Sequence, residues 1–557
     1  MRSAVVVGLL IALVGCEQPP PGKVYTDRST QGDTPDEDPE FTATAHREAY
    51  ARMTSEAIAP LRLADPIAAA QLGDAPLAAA PISLIERRGL ASALEPVWSS
   101  VGEIDEQALA PDEVIVIRTI RFALGRIHDE VQRRPQVRIE PLAAVRAQEQ
   151  LADEIEYRLI QAECAQGCAS AMVGLADELT SARQQLAGAS LPATREAATR
   201  ARALAERLRG LATRGELPGL VDAAAALEAD ALVMDALAER LPGADTLEWS
   251  TVAPPVRTSG IESVRRMPGP LGERALTRLL GVEERIDMPL SKLWAQTKQH
   301  AARWQRLRAE MIVGELPEEP ALPIDLARCT AARERIAAGL AMIPEIDPPK
   351  LDCARWLKIT GERAMRESEL VLALLDAGWI EPQRRRLRGE ELEAVALIGG
   401  QWSPDVHRHL RRVMLLARLD EPHARARALD EGRAALCLAG AALWIHAQLG
   451  PSDELRLMLG DDCALIGDAD VVQARVLADP RGAMAGLGLS LIGDEPAAMA
   501  GFDRFWWAPL GLMRLLATPP GTHPDQFKLP SEQGSEETGE PEIEVKIEEL
   551  DANMPLE

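Results

Sequence analysis

Aromatic side chains are scarce. Phe, Tyr and Trp together make up 3% of 557 residues, and ten of them are Trp. A large core must then be built from Leu, Ala, Val and Ile, which the 46% hydrophobic fraction allows. Ala and Leu are strong helix formers, so the shortage points to an all-α protein. No polar–apolar alternation runs beyond a few residues, so nothing supports a sizeable sheet. Lys is scarce too, and no basic face is concentrated anywhere, which argues against nucleic-acid binding. The phosphate-cradling pattern G-x-x-x-x-G-K-[ST] and the nucleophile elbow G-x-S-x-G are missing. Gly486-Leu487-Gly488 lacks the third glycine of a dinucleotide fingerprint. Cys-x2-Cys is absent, so no structural zinc is suggested, and no repeat of fixed period is visible.

What charge there is sits at the ends. The formal net charge is −25. Glu17 to Glu40 contributes −5 (seven acids, two bases) and Ser531 to Glu557 contributes −9 (ten acids, one Lys). The remaining middle is mildly acidic, with Arg and Glu mixed.

The first 16 residues, MRSAVVVGLLIALVGC, hold one early cation and then an apolar run from Ala4 to Val14. That run is too short to span a bilayer and fits a signal-peptide core. It ends in Leu13-Val14-Gly15-Cys16, which resembles the bacterial lipobox. The resemblance implies cleavage before Cys16, acylation of Cys16, and stable attachment to a membrane surface. Glu rather than Asp at position 17 favours the outer over the inner membrane.

Export changes how the other cysteines read. Six remain after Cys16, an even number that allows full pairing in an oxidising compartment, with 15 connectivities open. Neighbour pairing would join Cys329 to Cys353 and Cys437 to Cys463. Cys164 and Cys168 flank a Gly in a candidate helix–helix turn, where a bridge could sit.

Between the ends the pattern is helical. Residues 16–41, with Pro19-Pro20-Pro21 and DTPDEDPE, cannot bury apolar surface and read as a disordered tether. Ser83-Leu84-Ile85-Glu86 is a capping box, and Ala110-Pro111-Asp112-Glu113 opens another helix. Amphipathic stretches follow at Leu142–Glu163, Ser170–Ala187, Ala193–Arg214, Leu220–Leu241, Leu290–Ile312, Ile324–Met342 and Leu351–Leu375. Trp249 to Pro270 is the one long loop candidate. Residues 521–557 read as an acidic disordered tail.

Metal ligands on a helix must lie three or four residues apart to share a face. His46, His128, His300, His407 and His446 have no such His, Asp, Glu or Cys partner. Asp405 with His409, and Asp420 with His423, do. Both pairs fall at expected helix starts, where the better-supported reading is capping acids beside exposed histidines. His407 and His409 are about 200° apart on a helix and cannot chelate one ion together.

Several stretches resemble a bacterial family of helical, often lipid-anchored, zinc-peptidase-like proteins of poorly defined function. They are Asp65-Pro66 to Gly73-Asp74, the run IERRGLASALEPVWSSVGEIDEQALAPDEV, and Leu271 to Met311. The family's zinc motif is His-Glu-x-x-Pro-Gly-His. Its second motif, Glu-Gly-Trp-Ala, has a counterpart in Glu431-Gly432-Arg433-Ala434. Its third, Arg-x-x-x-Asp-x-Gly-x-His, has one in Arg475 to Asp479, without the His. Where the zinc motif should stand lies GGQWSPDVHRH, which contains Pro404, His407 and His409 but no His-Glu. The resemblance therefore implies a degenerate site with vestigial residues Glu431, Arg475, Asp479, His407 and His409. Without the His-Glu pair there is no base to activate a zinc-bound water and too few ligands to hold zinc, so no metal or other cofactor is expected. An unrelated helical protein, with Glu431 an exposed helix acid, is the other reading.

The sequence thus predicts a signal peptide over 1–15, a lipidated tether over 16–41, and one large all-α domain over 42–520 with candidate halves 42–318 and 319–520. The expected function is a non-catalytic envelope lipoprotein that keeps a peptide- or partner-binding cleft. Its partners would be a membrane, through acyl chains on Cys16, and a peptide or envelope protein. A hydrolase using unrecognised residues, or a purely structural envelope protein, stays open.

Overall fold

A computed structural model of the chain describes residues 48–52, 92–133, 141–174, 191–239, 270–311, 316–341, 351–380, 403–455, 460–492 and 508–512, apart from a few positions inside these spans. Cys16, Cys164, the tether, the acidic tail, the Ser83–Glu86 capping box and the Trp249–Gly269 stretch lie outside the described residues. What is described is helical almost throughout.

The principal helices are α1 Pro111–Arg133, α2 Pro141–Gln161, α3 Leu191–Arg214, α4 Gly219–Ala238, α5 Glu273–Glu284 and α6 Leu290–Met311. They are followed by α7 Leu326–Leu340, α8 Cys353–Thr360, α9 Glu367–Leu375, α10 Ser403–Leu416 and α11 Pro422–Ala447. Three short ones close the series: α12 Ala469–Ala478, α13 Pro480–Met484 and α14 Leu487–Leu491. Local chemistry sets the starts. The Ala110 N–H donates to Glu113 Oε2 at 2.8 Å, with Pro111 as the first helical residue. Asp325 caps α7 by accepting from Arg328 N at 2.8 Å, and Asp352 caps α8 by accepting from Ala354 N at 2.9 Å. On α3 the buried set Leu204, Ala205, Leu208, Leu211 and Ala212 is a one-sided stripe of helical period.

The stretch Leu351–Leu375 is not one helix. Gly361, at φ 81°, ends α8 in a conformation that a side chain would strain. Ala364–Met365 (β2) then pairs antiparallel with Leu322–Pro323 (β1) before α9 begins. Pairings of two residues are too short to leave an alternating pattern in the sequence.

Two apolar cores form. One gathers α1, α5, α6, the C-terminal part of α11 from Leu429 onward, and α12 to α14. The other gathers α2, α3, α4, α7, α8 and α9, the end of α10, and Ala424 and Ala428 of α11. The cores interleave along the chain. Each holds a bridge: Cys329–Cys353 joins α7 to α8, and Cys437–Cys463 joins α11 to the 3-10 turn Asp461–Ile466. Their Cα atoms are 5.9 and 5.5 Å apart. Cys168 is also disulfide-bonded, and its partner lies outside the described residues.

Helix α11 passes through both cores, and every residue from Leu436 to Ala447 is buried. Its contact with α6 leaves no room for a methyl group at Gly432, where a Cβ would stand 1.9 Å from Trp304 Cζ3. Gly432→Ala should destabilise the fold by ~1–3 kcal/mol through overpacking. Adding Trp304→Leu to that variant should recover part of the loss, although Trp304→Leu alone costs stability. Denaturant melts of the two single variants and the double decide the matter, and additive losses would refute the contact.

Candidate functional site

The seam between the cores carries the densest set of charges on which sequence-derived candidates fall. After α9 the chain makes a π-helical turn, Asp376–Ile380. Such turns widen the helix by one residue and often mark functional positions. Gly378, Trp379 and Ile380 are buried beneath it, and Gln161 Nε2 donates to Ala377 O at 3.4 Å. This turn leaves the Asp376 carboxylate facing α10. Arg412 of α10 donates to it from Nε at 2.8 Å and again from Nη2, and donates to Glu431 Oε2 of α11 at 2.6 Å. Burial opposes the charge of Arg412, yet its hydrogen bonds to Asp376, with the charges of Asp376 and Glu431, raise its pKa above the usual arginine value. Arg427 continues the chain of pairs, with Nε 3.4 Å from Glu431 Oε1 and Nη1 2.8 Å from Glu369 Oε1. Both oxygens of Glu431 therefore face guanidinium groups.

His409 lies one turn before Arg412, and its Nδ1 is buried without a hydrogen-bond partner among the described residues. Burial, reinforced by the neighbouring Arg412 and Arg408, lowers its pKa to about 4. His407 is buried, 3% exposed, and His409 and His423 are half-buried, which corrects the expectation of exposed histidines at these helix starts. The reason at α10 is that its start is packed rather than solvated: Val406 Cγ2 lies 2.3 Å from the Cβ position of Gly488 on α14. Asp405 is paired with Arg408. Asp420 does not cap α11; Glu421 holds the cap position, with no side-chain cap bond. His423 Nδ1 is 3.9 Å from Glu319 Oε2, away from Asp420 as a partner.

The other two candidate positions, Arg475 and Asp479, do not join this cluster. Arg475 is exposed on α12. Asp479 caps α13, accepting from Gly482 N at 2.7 Å, and is ion-paired with Arg146 of α2 and, at 3.4 Å, with Arg200 of α3. It fastens α13 to the α2–α3 pair. Among the described residues no three His, Cys, Asp or Glu side chains are arranged to hold a metal ion.

One histidine passed over in the sequence is structurally committed. His446, 1% exposed, sits on the all-buried part of α11. Leu271 N–H donates to its Nδ1 at 3.2 Å, so its Nε2–H is the donor to Val476 O at 3.3 Å. A ring that both donates and accepts must be neutral. Burial lowers its pKa to about 4, although the bond to Val476 acts in the other direction. The signal available in sequence was a lone His inside LAGAALWIHA, which only a fully used imidazole could occupy.

No family model matches this chain, and no curated protein does either. Among solved structures the chain is similar to a presumed lipoprotein of unknown function from Shewanella oneidensis. The two share 12% identity at a TM-score of 0.47, over 84% of this chain and 99% of that one. A presumed lipoprotein from Colwellia psychrerythraea shares 11% identity at a TM-score of 0.45, over 85% of this chain and 98% of that one. Likeness at this level transfers no activity. The resemblance to zinc-peptidase-like proteins finds no support in these comparisons.

Two outcomes follow from the geometry. Arg412→Met takes the paired cation from Asp376 and leaves Glu431 with Arg427 alone. It should cost ~2 kcal/mol, less than a fully buried broken pair because Glu431 is 37% exposed. Combining it with Asp376→Asn and Glu431→Gln should recover most of that in urea melts, and a neutral single variant would dismiss the strut.

The second outcome concerns pH. An unfolded histidine titrates near 6.5, while His446 folded titrates near 4. Between those values the unfolded chain binds a proton that the folded chain does not, so stability falls as pH drops from about 6.5 to 4. The full loss for this one group is on the order of 3 kcal/mol. The stability gap between the wild type and His446→Gln should therefore narrow by ~2 kcal/mol between pH 7 and pH 4.5. A gap that stays constant would mean that His446 is not held neutral.

Proposed function

We propose that this chain is an acyl-anchored lipoprotein of the bacterial cell envelope, facing the periplasm or the outside. Its helical body would bind a peptide or protein partner rather than catalyse a reaction. The observation that carries the exported location is the pair of buried disulfides, one in each core. Such bridges form and persist in oxidising compartments and are rare where thiols are kept reduced. They agree with the lipobox at Cys16, which supplies the anchor. Among the described residues no helix is long and apolar enough to cross a membrane, so attachment in this reading rests on the acyl chains.

The non-catalytic part of the reading is supported by how the candidate groups are occupied. Glu431 is ion-paired on both oxygens, and Asp479 is a helix cap. The partner-binding part is supported by the surface that borders the Arg412 strut. There the π-helical turn, the half-buried His409 and the exposed Met414 lie on elements shared by, or bordering, both cores.

The decisive experiment is on Cys16. Wild type should carry label from radioactive palmitate and sediment with membranes, and Cys16→Ser should lose the label and remain as unprocessed precursor. Equal labelling of both would end the lipoprotein reading. Elemental analysis of tag-free protein should find far less than one zinc per chain. Stoichiometric zinc, with a melting shift on chelation, would return the peptidase reading and make His407, His409 and Glu431 the first ligands to test.

A further inference from the structure

Between α6 and β1 the chain reads Leu316-Pro317-Glu318-Glu319-Pro320-Ala321-Leu322-Pro323. Prolines recur every third residue. Each proline fixes its own φ near −65°, and each restricts the residue before it to extended conformations. Leu316, Glu319 and Leu322 are those preceding residues, so only Glu318 and Ala321 are locally free. The outcome such a sequence favours is a polyproline II helix, which has three residues per turn and no internal hydrogen bonds. From Leu316 to Ala321 burial follows that period: Leu316 and Glu319 are half-buried, while Pro317, Glu318, Pro320 and Ala321 are exposed. It ends at Leu322, which is exposed where β1 begins. No helix or turn interrupts 316–321, and the stretch runs directly into β1.

The inward edge is fastened. Glu319 accepts from Ser368 N at 3.3 Å and from Ser368 Oγ, at the start of α9. Arg328 Nη1 donates to Leu322 O at 2.7 Å, and Arg328 Nη2 to Met365 O at 2.9 Å, which pins β1 beside β2. The outward edge carries Pro317, Pro320 and Pro323, all exposed, and it continues into Leu322 and Leu326, 49% and 52% exposed. An extended proline edge held rigid on a folded body loses little conformational freedom when it is bound.

We propose that this ridge is a docking surface for a protein partner with an aromatic-lined groove, the surface chemistry that receives proline-rich polyproline II segments. The exposed Glu318 beside the prolines calls for a basic residue at the rim of that groove. The ridge is remote in sequence from the seam residues and does not depend on the seam's role.

The test uses the full-length chain in its own cells. A photo-crosslinking phenylalanine is placed at Ala321, on an outward edge, and in a control at the exposed Glu334 of α7. The Ala321 probe should give an adduct with a different protein, and mass spectrometry should map the link beside Trp or Tyr in the partner. Pro317→Ala with Pro320→Ala should cut the adduct yield at least ~tenfold while the melting temperature stays unchanged. The mapped residue stands as a readout independent of that variant. Four results overturn the proposal: no adduct, an adduct only between two copies of this chain, a link to a partner surface without aromatics, or undiminished yield in the proline variant.

Discussion

One helix belongs to both cores, and the rest of the architecture follows from that. Ala424 and Ala428 of α11 pack in the core of α2 to α4 and α7 to α9, and Leu429 onward packs in the core of α1, α5 and α6. A helix surrounded on all sides must be apolar on all sides, and the run Leu436–Ala447 is. It must also be thin, because several helices approach it closely. Gly432 against Trp304, and Gly486 with a Cβ position 2.2 Å from Ala435 O, mark where the approach is tightest. The scarcity of aromatics is the same constraint seen in composition. An interior of Ala and Leu lets helices pack close, and the few Trp residues fill the gaps that remain, as Trp294 and Trp444 do with ring centroids 5.4 Å apart.

Charge appears where α11 leaves one core for the other. Its flank there is neither buried nor free, and Arg412, Asp376, Glu431 and Arg427 fill it as alternating pairs. Pairs of this exposure add little stability in themselves, but breaking one leaves an uncompensated charge, so they hold one arrangement against others. The two histidines whose pKa values fall to about 4 show the contrast. His446 uses both ring nitrogens to bind Leu271 and Val476 to α11, whereas His409 keeps a buried Nδ1 without a partner beside two arginines. The first is part of the frame, and the second has no hydrogen bond at that nitrogen among the described residues.

Helix positions were legible in the sequence because burial on one side imposes a 3.6-residue period, and α2, α3, α4 and α6 lie within a few residues of the expected spans. The same signal reports that a face is buried, not what buries it. That is why α1 and α11 gave no hint of sharing a core across some 300 residues of chain. The start of α10 departs from the expected exposure for a related reason: first-turn positions are usually solvated, but here α14 packs on Val406 at Gly488. The charged strut was illegible, since Asp376 and Arg412 are ordinary residues until a π-helical turn brings them together.

The strut also bears on what the seam can do. Carboxylates gathered around one point repel each other unless a cation stands between them, and that cation can be a proton, a metal ion or a guanidinium. A proton or a metal can leave, and both make the site responsive to pH or supply. Arg412 cannot leave, and its planar fork satisfies Asp376 on two atoms while reaching Glu431 with a third. With the positive charge covalently fixed, the two carboxylates stay balanced whatever the pH or the supply of ions. The strut is thus a permanent link between helices of the two cores.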